Sequence, residues 1–416
     1  MKRFVALTVA IFVTGCSSHS TMPSSKTPNS VAPQVYQGYG GGQTWTTIKA
    51  VAGHQRGASV LGLLYWHGED MTALESGSEK AVLMVGPGGA VTSLPLPNGS
   101  DLNNDAVGPD GNLWVTRLFG PIESVTLTGV ITQYSLPRQN TDAANITAGP
   151  DGALWFGEDG GTDPELGRIS TAGAITEYAY PTGVTQLPGL VSGSDGNLWA
   201  TDDQGHVYKI STSGVFTTYS LGVTENEDLV EDGGDVWTLT HGNLVSVDPA
   251  GTQAAYPPPN GFDTNVGVGP DGNLWALEDG ANSSLVTFNV TTHEFLTVAP
   301  PPPSFFQGGQ FMPGPDGNLW TDSCCNTSLL VYLWHSMSVS PTSLTIAAPG
   351  DQAPLNVTET NYNGNWSGSS SDKSVAIIAR SQTVGTLTVT AVGVGSCVLT
   401  IGDADHNRVK IKVTVN

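Results

Sequence analysis

Charge is scarce in this chain: only 12% of its 416 residues are Asp, Glu, Lys or Arg, and just 15 are basic against 37 acidic. That balance argues against a nucleic-acid partner, because binding a phosphate backbone depends on Lys and Arg displacing its counterions. Metal cations, cationic small molecules or peptides suit a formal charge of −22 better. No Gly-rich phosphate loop, nucleophile elbow or zinc-ligand spacing stands out, and no organic cofactor is expected. Of the four cysteines, three lie after Cys16, so at least one of those is expected to be unpaired within the monomer. With 52 Gly and 27 Pro, the composition is poor for long helices and suited to short strands joined by tight turns.

The one extended apolar run, Phe4 to Val13, is too short to cross a bilayer as a permanent helix. Lys2 and Arg3 precede it and Val13-Thr14-Gly15-Cys16 closes it, so residues 1–16 are expected to be a signal peptide. The pattern resembles the bacterial lipoprotein signal, which implies lipidation of Cys16; an ordinary cleaved signal is the alternative. Ser17 after the cysteine implies sorting to the outer membrane, so the protein is expected to be exported and tied to the cell envelope by its lipid only. Residues 17–41, rich in Ser, Pro, Thr and Gly, are expected to form a flexible tether.

A repeat dominates the rest of the chain. DGNLW occurs at 110–114, 195–199, 271–275 and 316–320, DGALW at 151–155 and the degenerate GGDVW at 233–237. The closing tryptophans, Trp114, Trp155, Trp199, Trp237, Trp275 and Trp320, recur every 38 to 45 residues, and Trp66 is taken as a seventh, weaker copy. Further strand-like runs stand at fixed offsets, such as LGRIS at 166–170 and AITEYAYP at 174–181. Short β-rich runs with Gly-containing turns at a period near 40 mark the blades of a β-propeller. Seven blades are expected over residues 42–336, with six or eight as alternatives. The last blade lacks a final strand, and QTWTTIKA at 43–50 is expected to supply it, closing the ring and hiding two sheet edges. Residues 337–416 break the period with short strands such as TLTVTAV and VKIKVTV. The expected architecture is thus all-β, a seven-bladed β-propeller followed by a small immunoglobulin-like β-sandwich. VSPTSLTI at 339–346 carries the resemblance to bacterial immunoglobulin-like domains.

The unit GPDGxLW…GRIS…GxITEYxLP, clearest at 149–181, resembles the repeat of the virginiamycin B lyase family. The resemblance covers roughly residues 42–336. It implies a seven-bladed propeller and, for activity, metal-assisted elimination that opens cyclic streptogramin peptides. In that chemistry a carboxylate helps hold a divalent ion while a histidine removes a proton from an acidic C–H. Glu278 matches the family's glutamate after the blade tryptophan and is the candidate metal ligand. The histidine expected two residues later is absent, since that position is Gly280. His241, one blade earlier, is the candidate replacement base.

Equivalent positions in the blades of a ring lie on one circle. Three residues past each tryptophan stand Glu69, Arg117, Glu158, Asp202, Thr240, Glu278 and Ser323. An acidic second residue adjoins Glu69, Glu158, Asp202 and Glu278, so an acidic funnel mouth is expected, suited to Mg²⁺ or Ca²⁺ or to a cationic ligand. Glu69, Glu158, Asp202, His241 and Glu278 are the candidate ligand contacts; the alternative is that these carboxylates are simply solvated or accept hydrogen bonds from turn amides. Three functions are open: a binding module for a cationic or small-molecule ligand, a Mg²⁺-dependent lyase acting on cyclic peptide esters, or a structural envelope protein. His206, His293 and His335 are read as incidental. Cys324 and Cys325 are expected on the same rim as a strained vicinal disulfide, a reduced pair, or a clamp to Cys397.

Overall fold

A computed structural model describes residues 34–37, 44–49, 59–66, 71–76, 80–85, 91–138, 141–160, 163–222, 226–240, 243–258, 262–278, 284–299, 311–314, 318–321, 328–332, 337–359, 366–380, 385–402 and 408–416. Every regular element among them is a β-strand. Six sheets of four antiparallel strands succeed one another, at 59–95, 102–134, 141–179, 189–220, 226–256 and 262–299, and are named blades 1 to 6. Within each, the strands lie in chain order, and the first strands of neighbouring sheets pack side by side. The first strand is therefore innermost.

Blade 7 is built from both ends of this region. Phe311–Pro313, Leu319–Thr321 and Ser328–Tyr332 pair in order, and Thr44–Lys49 then pairs with Ser328–Tyr332, Trp45 lying opposite Tyr332. The expected closing strand is thus in place. One boundary is corrected: Gln34–Gln37, inside the expected tether, adds a fifth strand by pairing with Thr44–Lys49. Its residues Val35 and Tyr36 supply the β-propensity that the surrounding Ser/Pro/Gly composition hid.

The repeat motif has a local cause at each position. In blade 3 the glycine of Asp151-Gly152 takes a positive φ of 75°, open to glycine at no steric cost. Asp151 Oδ1 accepts the Trp155 indole N–H at 3.0 Å, and the same bond recurs at Asp110–Trp114, Asp195–Trp199 and Asp271–Trp275. The indole then lies over the motif's first glycine, where a Cβ on Gly149 would stand 2.3 Å from the Trp155 ring. Arg168 bonds the second Asp151 oxygen at 2.6 Å and stacks over Trp155, as Lys209 does over Trp199. Burying one indole contributes about 4–6 kcal/mol before entropy is subtracted.

A second contact orders the blades. Tyr134, Tyr178 and Tyr219 stack on the tryptophans of their own blades, and the turn glycine of the next blade sits on each: Gly173 on Tyr134, Gly214 on Tyr178, Gly251 on Tyr219. In blade 6 this turn position is His293, at φ 58°, whose ring lies 4.8 Å from that of Tyr256. His293 is therefore a packing residue.

Residues 337–416 form two four-stranded sheets. One holds Met337–Ser340, Gln352–Glu359, Thr386–Ala391 and Ala376–Arg380; the other holds Ser343–Ile346, Arg408–Val415, Gly395–Gly402 and Ser367–Ser370. Leu355, Leu387, Val389, Leu399, Ile411 and Val413 belong to the core between them. The expected sandwich is present, while its likeness to immunoglobulin domains rests on the sequence motif. Cys397 is a free thiol inside this core, so the clamp to the Cys324–Cys325 pair is not made; that pair lies outside the described residues.

Candidate functional site

The tryptophan of each repeat sits on the second strand of its blade, as Trp155 does on Leu154–Gly160. Three residues on, the chain reaches the last turn-side residues of that strand, with Arg117 last in blade 2, Thr240 in blade 5 and Glu278 in blade 6, and Glu158 two residues from the end in blade 3. All of these ends fall on one side of the propeller, where the first strands begin. The common offset is therefore real, but its direction is not the one expected. Tryptophan and the residue three places later lie on opposite faces of a pleated strand, and both faces of a blade are covered by its neighbours. Arg117, Glu158, Asp202 and Thr240 are 0–2% exposed. They are buried between blades and do not line an open funnel.

Trp66 departs from the pattern. It comes after the first strand of blade 1, Ser59–Tyr65, and precedes the second, Met71–Ser76. It is not the repeat tryptophan; register places Thr72 there, opposite Leu64, as Trp114 is opposite Ala106. Glu69 falls in the sequence between the first two strands and lies outside the described residues. His241 is also outside them, as is the side chain of Glu278, whose backbone pairs with Phe262.

Asp202 is consumed locally. Its Oδ1 accepts the amides of Gln204 and His206 at 2.9 and 2.8 Å, and its Oδ2 meets His206 Nδ1 at 2.8 Å and the Tyr208 hydroxyl at 2.6 Å. Burial opposes its ionisation, but these bonds outweigh burial and hold the carboxyl below the usual range. The alternative reading, carboxylates serving turn amides, describes Asp202. His206 is its partner in that turn. Arg117 is equally committed: it bonds the carbonyls of Ser100 and Pro97 and, at 2.9 Å, Glu123, whose other oxygen takes Gln133 at 2.8 Å.

Blade 3 gathers acids that do not cancel. Asp142 on the first strand lies directly opposite Asp159 on the second. Asp159 accepts the Tyr180 hydroxyl at 3.2 Å, and burial, aided by the nearby Asp142 charge, pushes it up to about 7. Burial also raises Asp142. On the opposite face of the same strand, Glu158 accepts the Thr141 hydroxyl at 2.7 Å and is likewise lifted to about 7, chiefly by burial. Sequence reasoning passed over Asp142 because it lies before the repeat motif; the register of Thr141–Ala148 against Leu154–Gly160 is the signal that pairs it with Asp159. In blade 4, Asp203 points to solvent beside the buried Asp202.

Among the described residues no three Asp, Glu, His or Cys side chains converge closely enough to hold a metal ion. The side chain of Glu278, the candidate metal ligand, lies outside the described residues.

Comparison with known proteins agrees with the fold. Residues 76–281 match the model of the Virginiamycin B lyase family. The selenomethionine-substituted virginiamycin B lyase of Staphylococcus aureus is 19% identical at a TM-score of 0.60, covering 70% of this chain and 99% of that one. A catalytically inactive form of that enzyme, solved with quinupristin, is 20% identical at the same TM-score and with the same coverage. The extracellular domain of a putative hybrid two-component system from B. thetaiotaomicron is 13% identical at 0.55, covering 88% of this chain and 56% of that one. At these identities the likeness is one of fold. No curated protein matches the chain.

Proposed function

We propose that this virginiamycin B lyase-like propeller is a binding module for a ligand carrying an ammonium or guanidinium group, held on the face where the second strands end. The observation that carries this reading is the Asp142–Asp159 pair: two carboxyls directly opposite each other, both with ionisation disfavoured, beside a fold with a large acidic excess. A cation between them relieves the repulsion that water and Tyr180 leave in place. Asp203, and Glu278 and His241 from blades 6 and 5, are the further contacts proposed around the same face. The proposed setting is the cell envelope, with the chain held by a lipid on Cys16.

Calorimetric titration with spermidine and with arginine methyl ester tests the reading. Saturable binding is expected, weakened at least tenfold by Asp159→Asn and by Asp142→Asn. Because Asp159 must ionise to engage the cation, affinity should rise with pH up to about 7 and then level. No saturable heat with either probe at millimolar concentration would overturn it.

A second reading, a Mg²⁺-dependent lyase opening cyclic peptide esters by elimination, is favoured by the family match over residues 76–281 and by Glu278 ending its strand. Glu278 would hold the ion, which supplies Lewis acidity, and His241 is the proposed base. Incubation with quinupristin and Mg²⁺, with chromatography of the products, decides it: a linearised isomer supports the lyase, and an intact ring removes it.

A further inference from the structure

We propose that the junction between blades 2 and 3 is fastened by a single proton held between the carboxyl groups of Glu158 and Glu177, so that losing this proton loosens the junction. The face of blade 3 turned toward blade 2 carries three glutamates on adjacent strands. Glu158, two residues before the end of the second strand, lies directly opposite Glu165 on the third, and Glu177 on the fourth lies opposite Gly167, over which the Phe156 ring packs. The surface facing them from blade 2 is apolar or neutral, formed by Trp114, Ile122 and Tyr134 packed on Ala143, Leu154 and Phe156.

Among the described residues one cation serves this group. Arg138, from the segment leading into blade 3, pairs with Glu165, donates to the Asp163 carbonyl and brings its Nε within 3.9 Å of Glu177 Oε2. Thr141 satisfies Glu158 Oε1 from the first strand. Two oxygens remain: Glu158 Oε2 and Glu177 Oε1 are buried and accept no hydrogen bond. Glu158 itself is 1% exposed. Glu177 acts on Glu158 at close range and raises it, yet both carboxylates are acceptors when ionised and neither supplies a donor. A proton placed between them makes one a donor and the other its acceptor, satisfying both orphan oxygens at once.

The counting of charge agrees. Three carboxylates against one guanidinium leave two uncompensated negative charges, one of them able to fall on the buried Glu158, and one proton halves that excess. Burial is the main cause lifting Glu158 to about 7; the Thr141 bond opposes it, and Glu177 adds to it by contact and by charge. Linkage sets the sign. A carboxyl raised from 4.5 in the unfolded chain to about 7 in the fold contributes stability fully present below 4.5 and lost as pH rises toward 7. Above that the folded chain carries the full repulsion. The protein therefore senses alkalinity at this junction, a property separate from ligand binding at the face.

The test uses the full chain carrying Asp159→Asn, since Asp159 titrates over the same range. Urea denaturation at a series of pH values should show the folded-to-unfolded ratio falling close to tenfold per pH unit inside the window between 4.5 and about 7. Adding Glu158→Gln or Glu177→Gln should each flatten that interval, and the double substitution should flatten it no further, because the two residues hold one proton between them. Retention of the full slope in either single variant would overturn the proposal. A measurement without variants guards against misfolding: protein labelled with ¹³C at the glutamate carboxyls should show a protonated-acid infrared band near pH 6 that is gone near pH 9. Absence of that band at pH 6 would overturn it equally.

Discussion

The hydroxyl of Tyr208 donates to Oδ2 of Asp202 over 2.6 Å, tying the third strand of blade 4 to the turn after its second strand. With His206 on the same oxygen and two amides on the other, Asp202 organises that turn as a metal ion would organise a loop. Removing the hydroxyl in Tyr208→Phe should cost about 1.5–3 kcal/mol, the range for a hydrogen bond to a charged group, measured by urea denaturation at neutral pH. Asp202 has a depressed pKa, so its stabilisation is present above the ordinary carboxylate value and is lost as pH falls through its lowered one. The penalty of Tyr208→Phe should therefore shrink in acid.

The two glycines of one repeat should respond differently to the same methyl group. A Cβ on Gly149 would stand 2.3 Å from Trp155, whose indole is held by Asp151, whereas a Cβ on Gly152 meets no atom within 4 Å and only its positive φ resists. Gly149→Ala should lose about 3 kcal/mol and shift tryptophan fluorescence, and Gly152→Ala about 1–2 kcal/mol without the shift. The reverse order would contradict the packing account.

Asp159→Asn should make the protein more stable at pH 8 and leave it unchanged near pH 4. The carboxyl, raised from 3.8 to about 7 by burial and by Asp142, contributes stability present below 3.8 and lost as pH climbs to 7. Melting curves at the two pH values check this. Equal shifts at both would mean that packing dominates over charge.

His293 occupies the turn position that is glycine in blades 3, 4 and 5. Its φ of 58° costs a side-chain-bearing residue strain, while its ring against Tyr256 and Phe288 returns contact energy. His293→Gly should change stability by less than about 1 kcal/mol, since relief and loss oppose each other. Gly251→Ala, whose Cβ would come within 2.1 Å of Tyr219, should cost clearly more in the same denaturation assay.

The blades were legible because the repeat is local chemistry: a turn aspartate, a positive-φ glycine and a tryptophan four residues after the aspartate recur as a unit. The closing strand was legible because blade 7 was one strand short. What escaped was direction. Offsets from Trp155 locate the ring position of Glu158, but only strand pairing shows that this position faces the preceding blade, and only the register shows Asp142 beside Asp159. Trp66 misled for a related reason: an indole before the second strand fills a similar space, buried to 1% and bonded to the Gly111 carbonyl, without occupying the same residue of the repeat.

The pairing of Trp45 with Tyr332 also sets a temporal order on assembly. Blades 1 to 6 are each made from contiguous sequence and can form as they are synthesised, whereas blade 7 must wait for its last strand to meet one of the earliest. Contacts between such distant segments form slowly. Until they do, the molecule is an open ribbon with two bare strand edges, and folding yield should depend more on dilution at this final step than on the stability of any single blade.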